Sequence, residues 1–137
     1  MRASTDGGAS WTTDVVGAST TIESIGADAF GNVYAAGGAA ISAVANASVL
    51  LAKTVGTSTW STIDQLDNAW GYGFTADASG NLYVAGGADG GPTGYYGFVR
   101  SQPAAATFSS TRIGAEGVLA NFAADDSQDD ELLVEPR

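Results

Sequence analysis

The sequence contains no cysteine and no histidine, and its five basic residues are outnumbered by 15 acidic ones in a chain of 137 residues. Without Cys or His, the chain cannot form a Cys/His zinc site, a cysteine nucleophile or a catalytic group that depends on an imidazole base. The formal net charge of −10 has the wrong sign for gripping nucleic-acid backbones. We therefore expect no nucleic-acid partner and no zinc or thiol chemistry.

Long hydrophobic runs are also missing. The longest apolar stretch, around residues 45–52, is short and is interrupted by Ser, Asn and Lys, so the sequence predicts no membrane span. The residues after Met1 lack the apolar core of a signal peptide. A single Lys among abundant Ala, Gly, Ser and Thr is typical of exported bacterial surface proteins. We expect an extracellular or cell-surface location, although the sequence leaves the compartment open.

The negative charge that is present is concentrated at the C-terminus. The last 13 residues contain six acidic residues and Arg137, and so supply five of the ten net negative charges. The acidic residues are Asp125, Asp126, Asp129, Asp130, Glu131 and Glu135. We interpret residues 119–137 as either the degenerate start of a further repeat or an acidic tail.

An internal repeat is the strongest positive feature of the sequence. Residues 26–38 (GADAFGNVYAAGG) reappear as residues 75–87 (TADASGNLYVAGG), at an offset of 49 residues that also carries Trp11 to Trp60. A fainter third copy follows at an offset of 48, which carries Trp60 to Phe108 and Phe74 to Phe122. We divide the chain into residues 1–21, 22–70, 71–118 and 119–137, which makes about three repeats of 48–49 residues.

Within each copy the pattern indicates β structure. The repeated turns Asp-x-x-Gly-Asn suit positive φ angles and backbone capping by Asp, and short strands rich in β-branched and aromatic residues surround them. We expect strands at 48–53, 59–64, 71–77 and 95–100, and strands after each turn that stop at a Gly pair. Segments 38–46, 64–70 and 87–94 are expected to be loops. The turn residues are Asp28, Gly31, Asn32, Asp77, Gly80 and Asn81.

Four short strands in a period of about 40–50 residues are typical of a β-propeller blade. The fold class predicted is all-β, with propeller-type four-stranded blades. A β-solenoid is the main rival, but its coils generally need fewer residues. Since a closed propeller usually needs about four to eight blades, three repeats imply a fragment of a larger propeller or an oligomer, most simply a dimer.

Two resemblances support this fold. Residues 4–11 (STDGGASW) resemble the Asp-box, with Ser10 where Thr is usual, and the Asp-x-x-Gly-Asn-x-Tyr-x-Ala-Gly segments resemble the bacterial SBBP propeller repeats. The Asp-box likeness implies that Asp6 accepts backbone hydrogen bonds, that Gly8 permits the reversal, and that Trp11 buries its ring between strands. Both likenesses imply a fold and no particular reaction.

Two segments of the sequence carry oxygen-bearing side chains at alternate positions, as metal-binding loops do. Asp77, Ser79 and Asn81 place oxygens at alternate positions, as does the segment 125–131. However, Phe30 replaces Ser79 in the first copy, and the glutamate that ends an EF-hand loop is missing. We expect no metal and no cofactor.

We predict a non-catalytic binding or scaffold element for a protein or carbohydrate ligand. The aromatic residues expected on a ligand face are Trp70, Tyr72, Tyr95 and Tyr96. The alternative is a sialidase-like or other glycoside hydrolase, for which Arg2, Arg100 and Arg112 with Glu23 and Glu116 are available. Yet Arg2, Lys53 and Arg100 fall at equivalent repeat positions, which favours a structural role, and no spacing singles out a pair of carboxylates.

Overall fold

The computed structural model describes residues 1–14, 16–17, 19–43, 45–103 and 108–113. These residues are all-β, with a single 3-10 turn at Gly91–Thr93 and no α-helix among them. No helix in the described residues is long and apolar enough to cross a membrane. Phe122 and the acidic residues 125–137, like Glu116, lie outside the described residues.

Eight of the strands form two antiparallel meanders, each with its four strands in chain order. The first sheet contains β3 (Thr20–Ala27), β4 (Val33–Ala40), β5 (Asn46–Lys53) and β6 (Ser61–Asp67). The second contains β7 (Ala69–Ala76), β8 (Leu82–Asp89), β9 (Tyr95–Gln102) and β10 (Ser109–Ile113). A short hairpin of β1 (Arg2–Ala3) and β2 (Thr12–Thr13) precedes them.

The two sheets repeat the same register. Thr21 pairs with Gly38 in the first sheet, and Trp70 pairs with Gly87 in the second, 49 residues later. The residue two positions on, Glu23 or Tyr72, lies at the register shift of a β-bulge in each sheet. The sequence repeat is therefore also a repeat of strand pairing. The predicted boundaries at 22 and 71 fall two residues after the starts of the sheets at 20 and 69.

The main core lies between the two sheets. Leu50 and Ala36 of the first sheet share one buried cluster with Val84 and Phe98 of the second. Across the junction, the rings of Tyr34 and Phe74 stack with centroids 5.0 Å apart and an interplanar angle of 28°. A smaller cluster covers the opposite side of the first sheet, where Ala47, Val49 and Leu51 pack against Val16, Ile22, Ala39 and Trp60.

Ion pairs join successive units along the chain. Arg100 on β9 makes a two-pronged ion pair with Asp64 on β6, and Lys53 on β5 pairs with Asp14, just after β2. In both cases a cation on the third strand of a sheet reaches an acid in the segment that precedes that sheet along the chain. The Arg100 pair is the more buried, with side chains 13% and 10% exposed against 25% and 23% for Lys53 and Asp14.

The expectation that strands stop at the Gly pairs is wrong. Strands β4 and β8 continue through the glycines to Ala40 and Asp89. A Cβ on Gly37 would lie 1.9 Å from the carbonyl oxygen of Thr21, and one on Gly86 would lie 2.2 Å from that of Trp70. The glycines are needed because the adjacent strand, near its bulge, approaches too closely for any side chain.

Two further expectations need correction. Segment 64–70 is not a loop, since β6 continues to Asp67, β7 begins at Ala69, and Asn68 alone joins them with a φ of 56°. The strand pairings also show that Lys53 and Arg100 do not occupy equivalent positions in the repeat, since Lys53 lies two residues beyond the counterpart of Arg100. Tyr34 and Tyr83 pair with Ala52 and Ser101, so Arg100 corresponds to Leu51.

Candidate ligand-binding cleft

The predicted hairpin residues form a self-contained turn at the N-terminus. The carboxylate of Asp6 accepts hydrogen bonds from the hydroxyls of Ser4 and Ser10 and from the amide of Ser10. The hydrogen bonds from Ser10, and then that from Ser4, hold the pKa of Asp6 far below its usual range. The indole N–H of Trp11 donates to the carbonyl of Gly8 at 3.1 Å. The Trp11 ring is 52% exposed, so the expectation that it is buried between strands is wrong.

The two Asp-x-x-Gly-Asn turns lie at one end of the strands in the two sheets. Asp28 accepts hydrogen bonds from the amides of Phe30 and Asn32, the side-chain amide of Asn32 and the hydroxyl of Tyr34, all at 2.8–2.9 Å. Gly31 has a φ of 86°, which is why glycine occupies that place. These bonds engage both carboxylate oxygens in the turn itself.

The second turn repeats this network. Asp77 accepts from the amides of Ser79 and Asn81, from the Asn81 side chain and from the Tyr83 hydroxyl, the last at 3.3 Å. Gly80 has a φ of 84°. No metal-binding group of three or more acidic side chains occurs within the described ranges.

The hydrogen bonds of the two turns also shift the pKa values of the titratable groups in them. Partial burial raises the pKa of Asp28, but hydrogen bonds from Asn32 and Tyr34 outweigh it and hold that pKa below its usual value. Asp77 behaves in the same way through its bonds from Asn81. Burial, and then the hydrogen bond to Asp28, raises the pKa of Tyr34 to about 12. The acids are therefore held ionised and the tyrosine neutral, as a structural turn requires.

A cleft of about 330 Å³ lies at the opposite end of the strands, where the two sheets meet. It is built from the start of β5, the β6–β7 connection, the end of β8 and the start of β9. Its lining residues are Ala45, Asn46, Asn68, Ala69, Trp70, Tyr72, Gly87, Asp89 and Tyr95. Three of the four aromatic residues that we expected on a ligand face thus line a single cleft.

The three aromatic side chains are held in different ways. Trp70 is half-buried against the first sheet, where a Cβ on Gly38 would lie 2.4 Å from the indole ring. Tyr72 lies at the bulge of β7, a feature that redirects side chains and is common beside functional sites. Tyr95 is 69% exposed. The fourth expected residue, Tyr96, packs against the core between the sheets and does not line the cleft.

The polar residues of the cleft are fixed by backbone hydrogen bonds. Asn68 donates its amide to the carbonyl of Asn46 at 2.8 Å, and its carbonyl accepts from the amide of Asp89 at 2.8 Å. The carboxylate of Asp89 accepts a hydrogen bond from the amide of Gly91 at 2.8 Å. Asn68 therefore ties the two sheets together at the point where the cleft forms, and Asp89 is oriented by the following turn.

The internal repeat supplies a control for these residues. In the first sheet, strand pairing places Thr21 where Trp70 stands, Glu23 where Tyr72 stands, and Asn46 where Tyr95 stands. Ala40 takes the place of Asp89 in the same comparison. The same strand pairing therefore forms without aromatic residues at these positions, while Trp70 adds a contact between the two sheets at Gly38.

The residues considered for hydrolysis are scattered. Arg100 is engaged by Asp64 and by the hydroxyl of Ser110. The Arg2 guanidinium lies 5.6 Å from the centre of the Trp11 ring, on the N-terminal hairpin. Glu23 is exposed on β3 of the first sheet.

Sequence reasoning missed Asn46, Asn68 and Asp89. Asp89 departs from the repeat, where Ala40 is its counterpart, and that departure was the available signal. Comparison with known protein families, curated proteins and solved structures found no match for the chain.

Proposed function

We propose that the protein is a non-catalytic repeat module of the β-propeller type that binds a carbohydrate or protein ligand through the cleft between its two sheets. The observation that carries this proposal is the break in the repeat: Trp70, Tyr72 and Tyr95 converge where the first sheet has Thr21, Glu23 and Asn46. Convergent aromatic residues in a concave site favour ligand binding.

The propeller assignment is supported by topology. Each unit is a meander of four antiparallel strands in chain order, and the second unit packs its face on the first. Propeller blades have this construction. The β1–β2 hairpin, whose acid Asp14 meets Lys53 as Asp64 meets Arg100, corresponds to the last two strands of a preceding unit.

The exposed ends of this stack favour assembly with further units. Phe74 is buried because it stacks on Tyr34 of the preceding sheet, whereas its counterpart Ile25 is exposed. We propose that further blades, from a second copy or the remainder of a larger propeller, cover this position. Light scattering coupled to size-exclusion chromatography should give at least twice the mass of one chain if copies associate. A stable compact monomer would contradict the association of copies.

Binding is favoured over glycoside hydrolysis by the acids available. Hydrolysis of a glycoside generally uses two facing carboxyl groups, whereas Asp89 is the one carboxylate among the described lining residues. Its Oδ1 is already engaged by Gly91. A single oriented acid can accept hydrogen bonds from a ligand, but it does not supply the acid and base pair.

The test is a ligand screen with variants of the cleft. The wild-type chain is screened against glycan and peptide arrays, and hits are titrated with the Tyr95→Ala and Trp70→Phe variants. Since Tyr95 is largely exposed, its replacement removes a ligand contact without opening the core. We expect Tyr95→Ala to weaken binding about tenfold. The matched control is Phe30→Ala, an exposed aromatic residue on a turn outside the cleft lining, and it should bind as the wild type does.

A further inference from the structure

We infer that the ligand of this cleft is an uncharged sugar, and that the cleft discriminates against sugars carrying carboxylate, sulfate or phosphate groups. This inference rests on the proposed function and specifies its ligand class. It follows from three properties of the lining: the kind of side chains, the sign of the charge and the position of the cleft in the sheets.

The side chains combine flat apolar surfaces with hydrogen-bonding groups. A pyranose ring has one face of C–H groups and a rim of hydroxyls. Aromatic rings such as those of Trp70 and Tyr95 provide amphipathic surfaces for the C–H face. The side-chain amides of Asn46 and Asn68 and the carboxylate of Asp89 offer donors and acceptors for the hydroxyls.

The charge of the cleft lining disfavours anionic ligands. Asp89 is the one charged residue among the described residues lining the cleft, and no Lys or Arg stands among them. Two cations of the sheets are paired with other acids, Arg100 with Asp64 and Lys53 with Asp14. An anionic group in the cleft would therefore meet a carboxylate with no compensating cation, and the chain as a whole carries a net charge of −10.

The position of the cleft favours a sugar over a peptide. Peptides that add to sheets use an unpaired strand edge for their main-chain hydrogen bonds. The cleft instead lies at the ends of β5, β8 and the β6–β7 connection, where Asn68 already bonds to Asn46 and Asp89. Its volume of about 330 Å³ is at the lower end for small-molecule sites, which suits one or two sugar rings.

The experiment uses a glycan array of matched pairs, in which a neutral oligosaccharide is compared with the same oligosaccharide carrying sialic acid, uronic acid or sulfate. The full chain is used, and hits are titrated by isothermal calorimetry. We expect neutral members to bind at least fivefold more tightly than their anionic partners, a difference that shrinks in high salt. Tyr95→Ala should weaken binding to the neutral members about tenfold.

Asp89→Asn tests the source of the discrimination. It should reduce the preference for neutral over anionic partners to less than twofold, because it removes the facing charge. Glu23→Gln is the matched control: it changes the net charge by the same amount from an exposed position outside the cleft lining, and it should leave the preference unchanged. Equal effects of the two variants would show a general charge effect and overturn the role of Asp89.

Failure of the ligand class is distinguishable from failure of the binding function. Preferred binding of anionic glycans, or binding of neutral glycans that Tyr95→Ala does not change, overturns the inference. Peptide binding that is lost in Tyr95→Ala, with no glycan bound, overturns the ligand class and leaves the proposed binding function standing. If neither array yields a ligand that depends on Tyr95, both are overturned.

Discussion

The two sheets have the same four-strand order, and their strand pairings repeat at an offset of 49 residues. They nevertheless differ at one end of the strands. At the end of the strands that carries the turns, Asp28 and Asp77 make matching hydrogen-bond networks. At the end that carries the cleft, small or polar residues of the first sheet are replaced in the second by Trp70, Tyr72 and Tyr95. The shared turns belong to the fold, and the aromatic residues of the cleft replace smaller or polar ones without changing the strand pairing.

The glycines that both sheets share should give the largest effect on stability. In Gly37→Ala and in Gly86→Ala the new Cβ would collide with a backbone carbonyl oxygen of the adjacent strand, at 1.9 and 2.2 Å respectively. We expect each variant to lose about 3 kcal/mol in the free energy of unfolding, measured with urea. Similar losses in the two variants would support a shared architectural role. Wild-type stability in either one would show that this part of the comparison is wrong.

The two ion pairs should differ because their burial differs. Arg100→Met leaves Asp64 largely buried without its partner, and we expect a loss of about 2 kcal/mol. Lys53→Met removes the more exposed pair with Asp14, so its loss should be clearly smaller. A double-mutant cycle of Arg100→Met with Asp64→Asn isolates the coupling within the pair. A larger loss in Lys53→Met than in Arg100→Met would contradict this ranking.

The turns should give a smaller, pH-dependent effect. Since the pKa values of Asp28 and Asp77 are lowered in the folded chain, both stabilise it above about pH 4 and lose that effect as the pH falls further. Asp28→Asn should cost about 1 kcal/mol at pH 7 and flatten the decline below pH 4. Asp77→Asn should cost less, because Tyr83 reaches Asp77 at 3.3 Å whereas Tyr34 reaches Asp28 at 2.9 Å.

Urea unfolding of both variants between pH 2 and pH 7 provides the measurement. Tyr34→Phe serves as a companion at alkaline pH. The pKa of Tyr34 is raised to about 12. The stability that its protonated hydroxyl gives the folded chain is therefore fully present below about pH 10 and is lost as the pH rises toward 12. Unchanged acid dependence in Asp28→Asn would rule out the turn as its source.

Part of this architecture could be predicted from sequence because it is local. The turns at Asp28 and Asp77 are encoded by five adjacent residues, and the all-β class follows from the short strands between them. The role of Gly37 and Gly86 was not predictable, because it depends on a bulge in the neighbouring strand. A Gly pair alone is equally typical of a strand end.

The cleft was only partly predictable for a related reason. Aromatic residues in or beside the variable segments suggested Trp70, Tyr72, Tyr95 and Tyr96. Tyr96 instead packs against the core, since neighbours on a strand face opposite sides. Asn46 and Asp89 come from separate strands of different sheets. Their proximity is a consequence of sheet packing, which no local pattern contains.

The most direct test of the proposed binding site gives the second sheet, at the cleft, residues that the first sheet carries at the equivalent positions. The double variant Tyr72→Glu/Tyr95→Asn installs the residues that the first sheet carries at the same register. We predict a free energy of unfolding within about 0.5 kcal/mol of wild type, together with loss of the ligand that wild type selects from the arrays. A variant that fails to fold would show that the aromatic residues are structural, and a stable variant that still binds with wild-type affinity would remove the cleft as the site.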